Sequence, residues 1–484
     1  MKIVLLNPPF KPECGRFSRA SRSPAITKSG TLYYPIWLSY ACGLLEKNNH
    51  EVLLLDCCAD QLSLDKTLNE IENFQPEMIV LDTSTPSIDS DVACVEAIKA
   101  RIPNVFCCLV GTHPTVLTYE VMEKSKKIDA IARHEYDMTL VEVAKVLEEK
   151  GDLSFVAGLA FRSGNEIICN AERNYIENLD ELPFVSKTYK KQLNIRNYFF
   201  AAGEFPMVMI MTGRGCPARC FFCVYPQTFH GHGYRLRSAK NVVDEFEYIV
   251  KELPEVKSIG IEDDTFTANQ ARVREICQLI IDRGINKKIN WWANTRVNLS
   301  YETMKVMKKA GCRLIIPGFE SGSQEILNNI HKGTTIEQSK VFMKNAKKTG
   351  LLVHGCFMVG NKGETINSMH ETLRFAMELN PDTAQFFPLI PYPGTEAYEW
   401  AKENGYLKNI PYNQWLTDDG LHKCVLDLPD IKSEELVGFC DFARKKYYLR
   451  LPYILYKMKQ SLFSAQERKR TWKSFKQFAK YLAK

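Results

Sequence analysis

The chain lacks any apolar run that is long enough to cross a membrane as a helix. Its longest apolar runs, "MVMIM" at 207–211 and "VFCCLVG" at 105–111, fall far short of the roughly 20 residues that such a helix needs. No signal-peptide cleavage pattern follows the opening "MKIVLLNPP", which passes from a lysine directly into a strand pattern. We therefore expect a cytoplasmic protein. With 45% hydrophobic and 25% charged residues, the 484-residue chain is neither disordered nor fibrous, and it is long enough for two or three domains.

The 16 cysteines show no pattern that suggests a disulfide framework. Several of them, such as Cys57, Cys58, Cys107 and Cys108, lie inside apolar strand-like segments, where buried free thiols are the simplest interpretation. The sequence also lacks a G-x-G-x-x-G run after its first strand pattern, so nothing supports binding of a dinucleotide.

The first 150 residues alternate between short apolar strands and amphipathic helices. Strands are predicted at 2–7, 51–56, 78–83, 105–111 and 128–133, and helices near 35–48, 64–74, 88–100, 117–126 and 138–149. Apolar strands joined by helical crossovers predict an α/β, doubly wound, Rossmann-like domain at 1–150, with a parallel sheet covered on both faces. Ligands of such sheets bind at the carboxyl ends of the strands, which here are 7–9, 83–85, 111–115 and 133–137.

A linker is predicted at 151–200, and a second alternation of strands and helices follows at 201–410. Its strands are predicted near 206–211, 257–262, 289–294, 313–318, 352–358 and 384–389. Six strands are too few for an eight-stranded barrel, but they suit a partial (β/α)6 barrel with one open side. Residues 411–484 are predicted to form a small, basic, helical C-terminal region.

The segment "GRGCPARCFFCVYP" at 213–226 places three cysteines within eight residues. It follows the first strand of the predicted barrel, at the face where barrel enzymes carry their active sites. Cys216, Cys220 and Cys223 can ligate three irons of a [4Fe-4S] cluster and leave the fourth iron open. A structural zinc site is the alternative, with His230 or His232 as a fourth ligand.

The C-x3-C-x2-C spacing, with Phe222 before the last cysteine, resembles the signature of the radical S-adenosylmethionine (radical SAM) enzymes. The resemblance implies that the open iron binds S-adenosylmethionine (SAM), which a low-potential electron then cleaves to a 5'-deoxyadenosyl radical. It also implies an external electron donor of the flavodoxin or ferredoxin type and an oxygen-sensitive, anaerobic enzyme.

Later segments resemble the same family in order and spacing. "IGIEDDTFT" at 259–267, "WANTRVN" at 292–298, "PGFESGSQE" at 317–325 and "CFMVGNKGET" at 356–365 resemble its strand ends near SAM. The SAM contacts that the resemblance implies are Phe222, Asp263, Asp264, Arg296, Glu320, Ser321 and Gly360.

One subgroup of that family has a cobalamin-binding domain before the barrel, as the pattern of residues 1–150 suggests. "GTHPTVL" at 111–117 resembles its loop beside the corrin tail, whereas His134 and Tyr136 replace residues that are usually small. The cobalamin contacts that the resemblance implies are Asn7, Pro8, Thr83, Ser84, Thr85, Gly111, Thr112, His113, Glu135 and Asp137.

Two features bear on how cobalamin would be held. None of the nine histidines has an aspartate two residues before it, so the D-x-H-x-x-G cobalt ligand of other cobalamin proteins is missing. His113 and His134 are alternative ligands, or ordinary hydrogen-bonding loop residues. Arg19 and Arg22, on the long loop after the first strand, are candidates to bind an anionic substrate group or the corrin tail.

The resemblance implies methylation of an unactivated carbon through methylcobalamin, with S-adenosylhomocysteine and 5'-deoxyadenosine as products. Cyclisation, ring contraction or oxygenation is the alternative within the family. A non-catalytic cobalamin or iron-sulfur regulator is the alternative of another class, but it needs an output module, and no segment has a clear helix-turn-helix pattern.

The end of the chain is strongly basic. Residues 431–484 contain 14 lysines and arginines against 4 aspartates and glutamates, interleaved with tyrosine, phenylalanine and leucine. This pattern is typical of a helix on an anionic membrane, or of a solvated basic face. We expect a small-molecule or lipid-like substrate, with peripheral membrane contact as a second interpretation. A nucleic-acid partner is not favoured, because no RNA-binding module is recognisable.

Overall fold

The computed structural model describes residues 1–463 and residue 468. The rest of the basic C-terminal segment, 464–467 and 469–484, lies outside the described residues. Two main sheets, of seven and six strands, organise the chain. Within the described ranges, no helix combines the length and the apolar character of a membrane span.

The elements of the N-terminal part follow in chain order. The strands are β1 (Lys2–Asn7), β2 (Phe17–Ser18), β3 (Ala25–Ile26), β4 (Glu51–Asp56), β5 (Met78–Asp82), β6 (Phe106–Val110), β7 (Ala130–Ala132), β8 (Leu159–Ser163) and β9 (Glu166–Cys169). The helices are α1 (Ile36–Lys47), α2 (Cys57–Asp60), α3 (Leu64–Phe74), α4 (Ile88–Arg101), α5 (Thr112–Val116), α6 (Thr118–Lys124) and α7 (Asp137–Glu148).

The first sheet has the strand order β4-β1-β5-β6-β7-β8-β9. Its first five strands are parallel. The side chains of β5 are all buried, because helices cover both faces of the sheet. The predicted doubly wound domain is confirmed.

Strands β8 and β9 lie in the segment that the sequence analysis assigns to a linker. They extend the first sheet, antiparallel, from β7. Gly164 and Asn165 join them in a two-residue turn, and Gly164 has the left-handed backbone (φ 60°) that such a turn needs. The linker prediction is therefore corrected: the first part of 151–200 belongs to the first sheet.

The second part of the chain contains a second set of elements. Its strands are β10 (Met207–Ile210), β11 (Gly213–Arg214), β12 (Arg235–Leu236), β13 (Ser258–Ile261), β14 (Asn290–Thr295), β15 (Cys312–Glu320), β16 (Leu352–Val359) and β17 (Thr383–Pro388). Its helices are α8 (Val185–Gln192), α9 (Val224–Thr228), α10 (Ala239–Glu252), α11 (Gln270–Asp282), α12 (Tyr301–Lys309), α13 (Gln324–Asn329), α14 (Ile336–Thr349), α15 (Ile366–Leu379), α16 (Glu396–Glu403), α17 (Ser433–Tyr448) and α18 (Leu451–Phe463).

The second sheet is parallel and its strand order, β10-β13-β14-β15-β16-β17, is the order in the chain. This is the predicted six-stranded partial barrel. All six carboxyl ends meet at one rim, where the loop with the three cysteines follows β10.

Three tyrosines join the free edge of β10 to the N-terminal part. The hydroxyls of Tyr34 and Tyr189 donate to the backbone carbonyls of Met207 (2.8 Å) and Met209 (3.0 Å). Tyr40 of α1 donates to the carbonyl of Met211 at 3.3 Å. Edge carbonyls that would otherwise be unpaired are thus satisfied, and the first domain is held beside the cysteine loop.

Helix α17 protects the opposite edge, β17. The hydroxyl of Tyr448 donates to the Ala384 carbonyl at 2.7 Å and accepts from its N–H at 2.9 Å, and Arg444 donates to the carbonyl of Phe386 at 2.7 Å. Helix α17 of the C-terminal region therefore packs on the barrel and covers its last strand.

Candidate active site

The three cysteines lie on one loop between β11 and α9, and Gln227 holds that loop together. Its Nε2 donates to the carbonyl oxygens of Cys220 (3.2 Å), Phe221 (3.2 Å) and Cys223 (3.0 Å). Its Oε1 accepts from the N–H of Glu396 at 2.8 Å. One amide side chain thus fixes the turn that contains two of the cysteines.

Asp264, after β13, anchors the start of the same loop. Its Oδ2 accepts from the N–H of Gly215 at 3.2 Å and lies 2.7 Å from Nδ1 of His230. Burial favours the protonated carboxyl, but His230 and Arg22 outweigh this effect and hold the pKa of Asp264 below its usual value. This predicted SAM contact is therefore an ionised group directly beside the cysteine loop.

The two histidines of the zinc alternative have other neighbours. His230 faces Asp264, and Nδ1 of His232 lies 3.1 Å from the carbonyl oxygens of both Cys216 and Ala218. In the described part of the chain, no three His, Cys, Asp or Glu side chains converge on one metal-ion position. Both histidines shape the loop through hydrogen bonds.

The thiols are largely buried, and one has a cationic neighbour. Burial is the largest effect on Cys216 and Cys223 and raises the pKa of each thiol. Nη1 of Arg296 donates to Sγ of Cys220 at 3.7 Å. Burial therefore disfavours the thiolate form of Cys216 and Cys223, and a bound metal would favour it. Three cysteine sulfurs on one loop are a donor set that suits iron-sulfur ligation.

Glu320 and Lys332 form a buried ion pair beside the cysteines. Lys332 Nζ lies 2.7 Å from Glu320 Oε1, with side-chain exposures of 9% and 6%, and 5.8 Å from the ring centre of Phe222. Arg296 also donates to the backbone carbonyl of Lys332. Glu320 has a left-handed backbone (φ 61°), a conformation that non-glycine residues adopt mainly where the surroundings impose it. The predicted residues Phe222, Arg296 and Glu320 therefore come together.

Three other predicted SAM contacts have structural partners. Asp263 accepts from the N–H and the hydroxyl of Thr212, both at 2.6 Å. Ser321 is fully buried and its hydroxyl lies 3.1 Å from that of Thr372. Gly360 (φ 85°) turns the chain after β16 and packs against Leu436. All three residues lie at the rim, and their contact with SAM stays a prediction.

A small cavity of about 30 Å³ lies between the first sheet and the cysteine loop. Five of the predicted cobalamin contacts line it: Thr83, Ser84, Thr85, Gly111 and Thr112. Tyr225 lines it from the side of the cysteine loop, and Tyr136 from the first domain. The buried hydroxyl of Tyr136 has no hydrogen-bond partner among the described residues, so the wall offers a polar group to a ligand.

Arg22 connects this cavity with the predicted SAM site. Its guanidinium pairs with Glu262, donates to the carbonyl of Asp263 at 3.1 Å and lies 3.7 Å from Asp264 Oδ1. It also lies 5.4 Å from the ring centre of Tyr225. The loop after β1 therefore reaches from one predicted cofactor site into the other.

Asn7 and Pro8 lie at the end of β1, but both bind Arg19. Its Nη1 donates to Asn7 Oδ1 and to the Pro8 carbonyl, and its Nη2 lies 2.7 Å from Asp91. Asn7 in turn donates to Asp56 at 2.6 Å. Arg19 is thus a buried anchor of its loop rather than a free anion-binding group.

Glu135 and Asp137, two of the predicted cobalamin contacts, are each bound by an arginine of the strands that flank the cysteine loop. Arg214 donates to both oxygens of Asp137, at 2.7 and 3.2 Å. Arg235 donates to both oxygens of Glu135, at 2.8 and 2.5 Å. The arginines are register partners in the β11–β12 ribbon, so two bidentate ion pairs bridge the first domain and the ribbon.

The two candidate cobalt ligands also have partners. His113 Nδ1 lies 3.2 Å from Thr85 Oγ1, and its ring packs edge-on against Tyr412. Nδ1 of His134 lies 3.0 Å from the carbonyl of Thr228, and its Nε2 lies 3.4 Å from Glu172. The buried Nε2 of His113 has no hydrogen-bond partner among the described residues, so His113 stays a candidate ligand.

Comparison with known proteins agrees with this arrangement. Residues 210–376 match the family model of the radical SAM superfamily, and residues 22–144 match that of the B12 binding domain. The chain is 32% identical over 459 residues to an uncharacterized methyltransferase, PH0819, of Pyrococcus horikoshii, and the match covers 94% of each chain. The chain belongs to the B12-binding radical SAM family.

Two further matches complete the comparison. An anaerobic magnesium-protoporphyrin IX monomethyl ester cyclase of Cereibacter sphaeroides is 30% identical over 375 residues, which are 75% of this chain and 60% of that protein. The radical SAM methyltransferase TsrM of Kitasatospora setae, solved with cobalamin and a [4Fe-4S] cluster, shares the fold, with a TM-score of 0.68 at 16% identity over 91% of this chain and 90% of its own.

The residues of this radical SAM enzyme fit the cofactors of its family. Three cysteines on one loop, two of them buried and Cys223 partly buried, fit a [4Fe-4S] cluster with an open iron. Near them, the buried Nε2 of His230 and hydroxyls of Thr265 and Thr295 have no hydrogen-bond partner in the described part of the chain, which fits a polar ligand such as SAM. The cavity beside Tyr136 is smaller than a whole corrin.

The sequence alone did not indicate several residues of this site. Lys332 and Gln227 belong to no quoted motif, although Gln227 follows Cys223 by four residues, which is one helical turn; Glu262 lies in the quoted segment 259–267 but was not singled out. Asp82 lines the cavity, and burial raises its pKa to about 7. Its place at the end of β5 could have indicated it, since ligands bind at such strand ends.

Proposed function

We propose that the chain cleaves SAM reductively and methylates an unactivated carbon of a small-molecule or lipid-like substrate. When bound, the cluster supplies the electron for the cleavage and cobalamin carries the methyl group. The observation that supports this most strongly is the loop of three cysteines at the barrel rim, near Arg296 and Lys332 on one side and the cavity of the first domain on the other.

The residues around the cysteines have separate roles in this proposal. Gln227 and Asp264 fix the loop, and Arg296 donates a hydrogen bond to a cluster sulfur. Lys332 and Glu320 form a charged pair that can orient the polar end of SAM. Tyr225 and Tyr136 line the cavity between the two predicted cofactor sites, and their rings exclude water from a reactive radical there.

Cyclisation or another rearrangement without methyl transfer is the second candidate. It is supported by the 30% identity over 375 residues to the anaerobic cyclase, a match that covers 75% of this chain. Product analysis separates the candidates, because methyl transfer forms S-adenosylhomocysteine and rearrangement does not.

The proposal also includes the surroundings of the enzyme. An external donor of the flavodoxin or ferredoxin type would supply the low-potential electron. All sixteen cysteines are free thiols, which supports a reducing, cytoplasmic and oxygen-poor environment. Peripheral contact with a membrane through the C-terminal region is part of the proposal as well.

The test is formation of 5'-deoxyadenosine from SAM by the anaerobic, reconstituted protein with a strong reductant. Changing Cys216, Cys220 or Cys223 to alanine should abolish it, whereas Cys169→Ala, which removes an exposed thiol on β9, should leave it unchanged. Cleavage that persists in all three site variants, at a rate that depends on the added iron, would overturn the proposal.

A further inference from the structure

Helix α18 exposes a continuous apolar stripe to solvent. Five large apolar side chains recur every three or four residues, so they lie on one face of the helix. They are Leu451 (66% exposed), Ile454 (40%), Leu455 (55%), Met458 (59%) and Leu462 (78%). Single exposed leucines are ordinary, but a stripe of five on one helix marks an interaction surface.

The opposite face of α18 is firmly attached to the barrel. The hydroxyls of Tyr453 and Tyr456 donate to the backbone carbonyl and to Oδ1 of Asp382, both at 2.8 Å. Gln460 Nε2 donates to the same carboxylate at 2.6 Å. Because these contacts fix the rotation of the helix, the apolar stripe points outward as part of the fold.

The charge around the stripe is of one sign. Lys459, which is exposed, flanks it on α18, and residues 464–484 add seven lysines and arginines against one glutamate. In "TWKSFKQFAKYLAK", apolar Trp472, Phe475 and Phe478 recur beside Lys473 and Lys476, the combination typical of segments that lie on anionic membranes.

We propose that the apolar stripe of α18 binds membranes and that the basic residues beside it and after it in the sequence make the protein select anionic phospholipid. The apolar stripe enters the headgroup boundary, and the lysines and arginines attract the acidic headgroups. A second copy of the chain is a poorer occupant, because two such surfaces would bring their positive charges together.

The position of α18 leaves the reaction site free. Asp382 lies just before β17, at the amino end of that strand, whereas the cysteine loop lies at the carboxyl rim of the barrel. A bilayer against α18 therefore does not cover the cysteines. Membrane binding and basal SAM cleavage should be separable by mutation.

The experiment is co-sedimentation of the anaerobically purified, full-length holoprotein with vesicles. We expect binding to vesicles of phosphatidylglycerol and phosphatidylcholine in equal parts, and roughly tenfold weaker binding to phosphatidylcholine alone. Binding should weaken in about 1 M salt, where the Debye length is about 3 Å. The double variant Leu455→Glu/Met458→Glu should lower binding to the acidic vesicles by about tenfold or more.

A matched control is Phe155→Glu, which places the same charge at a side chain that is 85% exposed on the first domain. This control should bind acidic vesicles like the wild type, and all variants should form 5'-deoxyadenosine at the same rate. Wild-type protein that ignores acidic vesicles would overturn the inference. So would a wild-type dimer that the double variant converts to a monomer, since a second copy would then cover the stripe.

Discussion

Replacing Asp137 by asparagine should destabilise the protein through the ion pairs that bridge the first domain and the β11–β12 ribbon. The side chains of Arg214 and Asp137 are 1% and 3% exposed, so the variant leaves a buried guanidinium without its main partner. Removing one partner of such a pair costs about 3–5 kcal/mol. We expect about 3 kcal/mol here, the low end of that range, because Glu135 stays 3.5 Å from Arg214.

Thermal unfolding of the anaerobic holoprotein, followed by circular dichroism, measures this effect. At about 2 °C per kcal/mol for a cooperative unit of this size, Tm should fall by about 6 °C. The control is Glu378→Gln, which breaks an exposed pair with Lys340 whose side chains are 57% and 39% exposed, and should change the stability by less than about 1 kcal/mol.

A double replacement sharpens the test. Arg214→Met with Asp137→Leu removes both charges and should recover most of the lost stability, because apolar pairs replace buried ion pairs at little cost. The reasoning is refuted if Asp137→Asn lowers Tm no more than Glu378→Gln, or if the double replacement is worse than the single one.

Three further predictions concern the site. Arg296→Ala should lower the reduction potential of the cluster by an amount on the order of tens of millivolts, because a cation 3.7 Å from Cys220 Sγ favours the reduced state. An EPR-monitored redox titration measures this potential. Arg296→Lys keeps the positive charge and should restore part of the shift. Gln227→Ala should remove one hydrogen bond from each of three loop carbonyls and make iron more easily removed by a chelator, whereas an unchanged rate of iron loss would show that these hydrogen bonds are dispensable. Burial raises the pKa of Asp82 to about 7, so the stability that its protonated carboxyl contributes is present below about pH 4 and is lost as the pH rises to 7. The Tm of apo Asp82→Asn should therefore rise relative to that of the apo wild type over this pH range. A difference in Tm that stays constant with pH would contradict the raised pKa.

The fold was predictable because its evidence is local in the chain. Both main sheets follow from apolar strands that alternate with amphipathic helices, and the cysteine loop follows from one short segment. The hairpin of β8 and β9 was missed, although "RSGNE" at 162–166 carries a Gly-Asn turn. Strand β9 has only four residues and no buried side chain, which left too weak an apolar pattern.

The contacts of the site were less predictable, since they join residues that are distant in sequence. Arg214 meets Asp137 across 77 positions and Arg235 meets Glu135 across 100. The resemblance implies that both carboxylates contact cobalamin. It does not indicate that each of them forms an ion pair with an arginine across the domain boundary. A sequence pattern records which residues end a strand, but not which neighbour their side chains reach.

The most direct test of the central claim is a product and cofactor measurement on the wild-type protein. We would purify it anaerobically after expression with cobalamin, determine its iron, sulfide, zinc and cobalt, and incubate it with SAM and a strong reductant. The account predicts about four irons and one corrin per chain, with both 5'-deoxyadenosine and S-adenosylhomocysteine detected by mass spectrometry. A protein that contains zinc and forms neither product would contradict it.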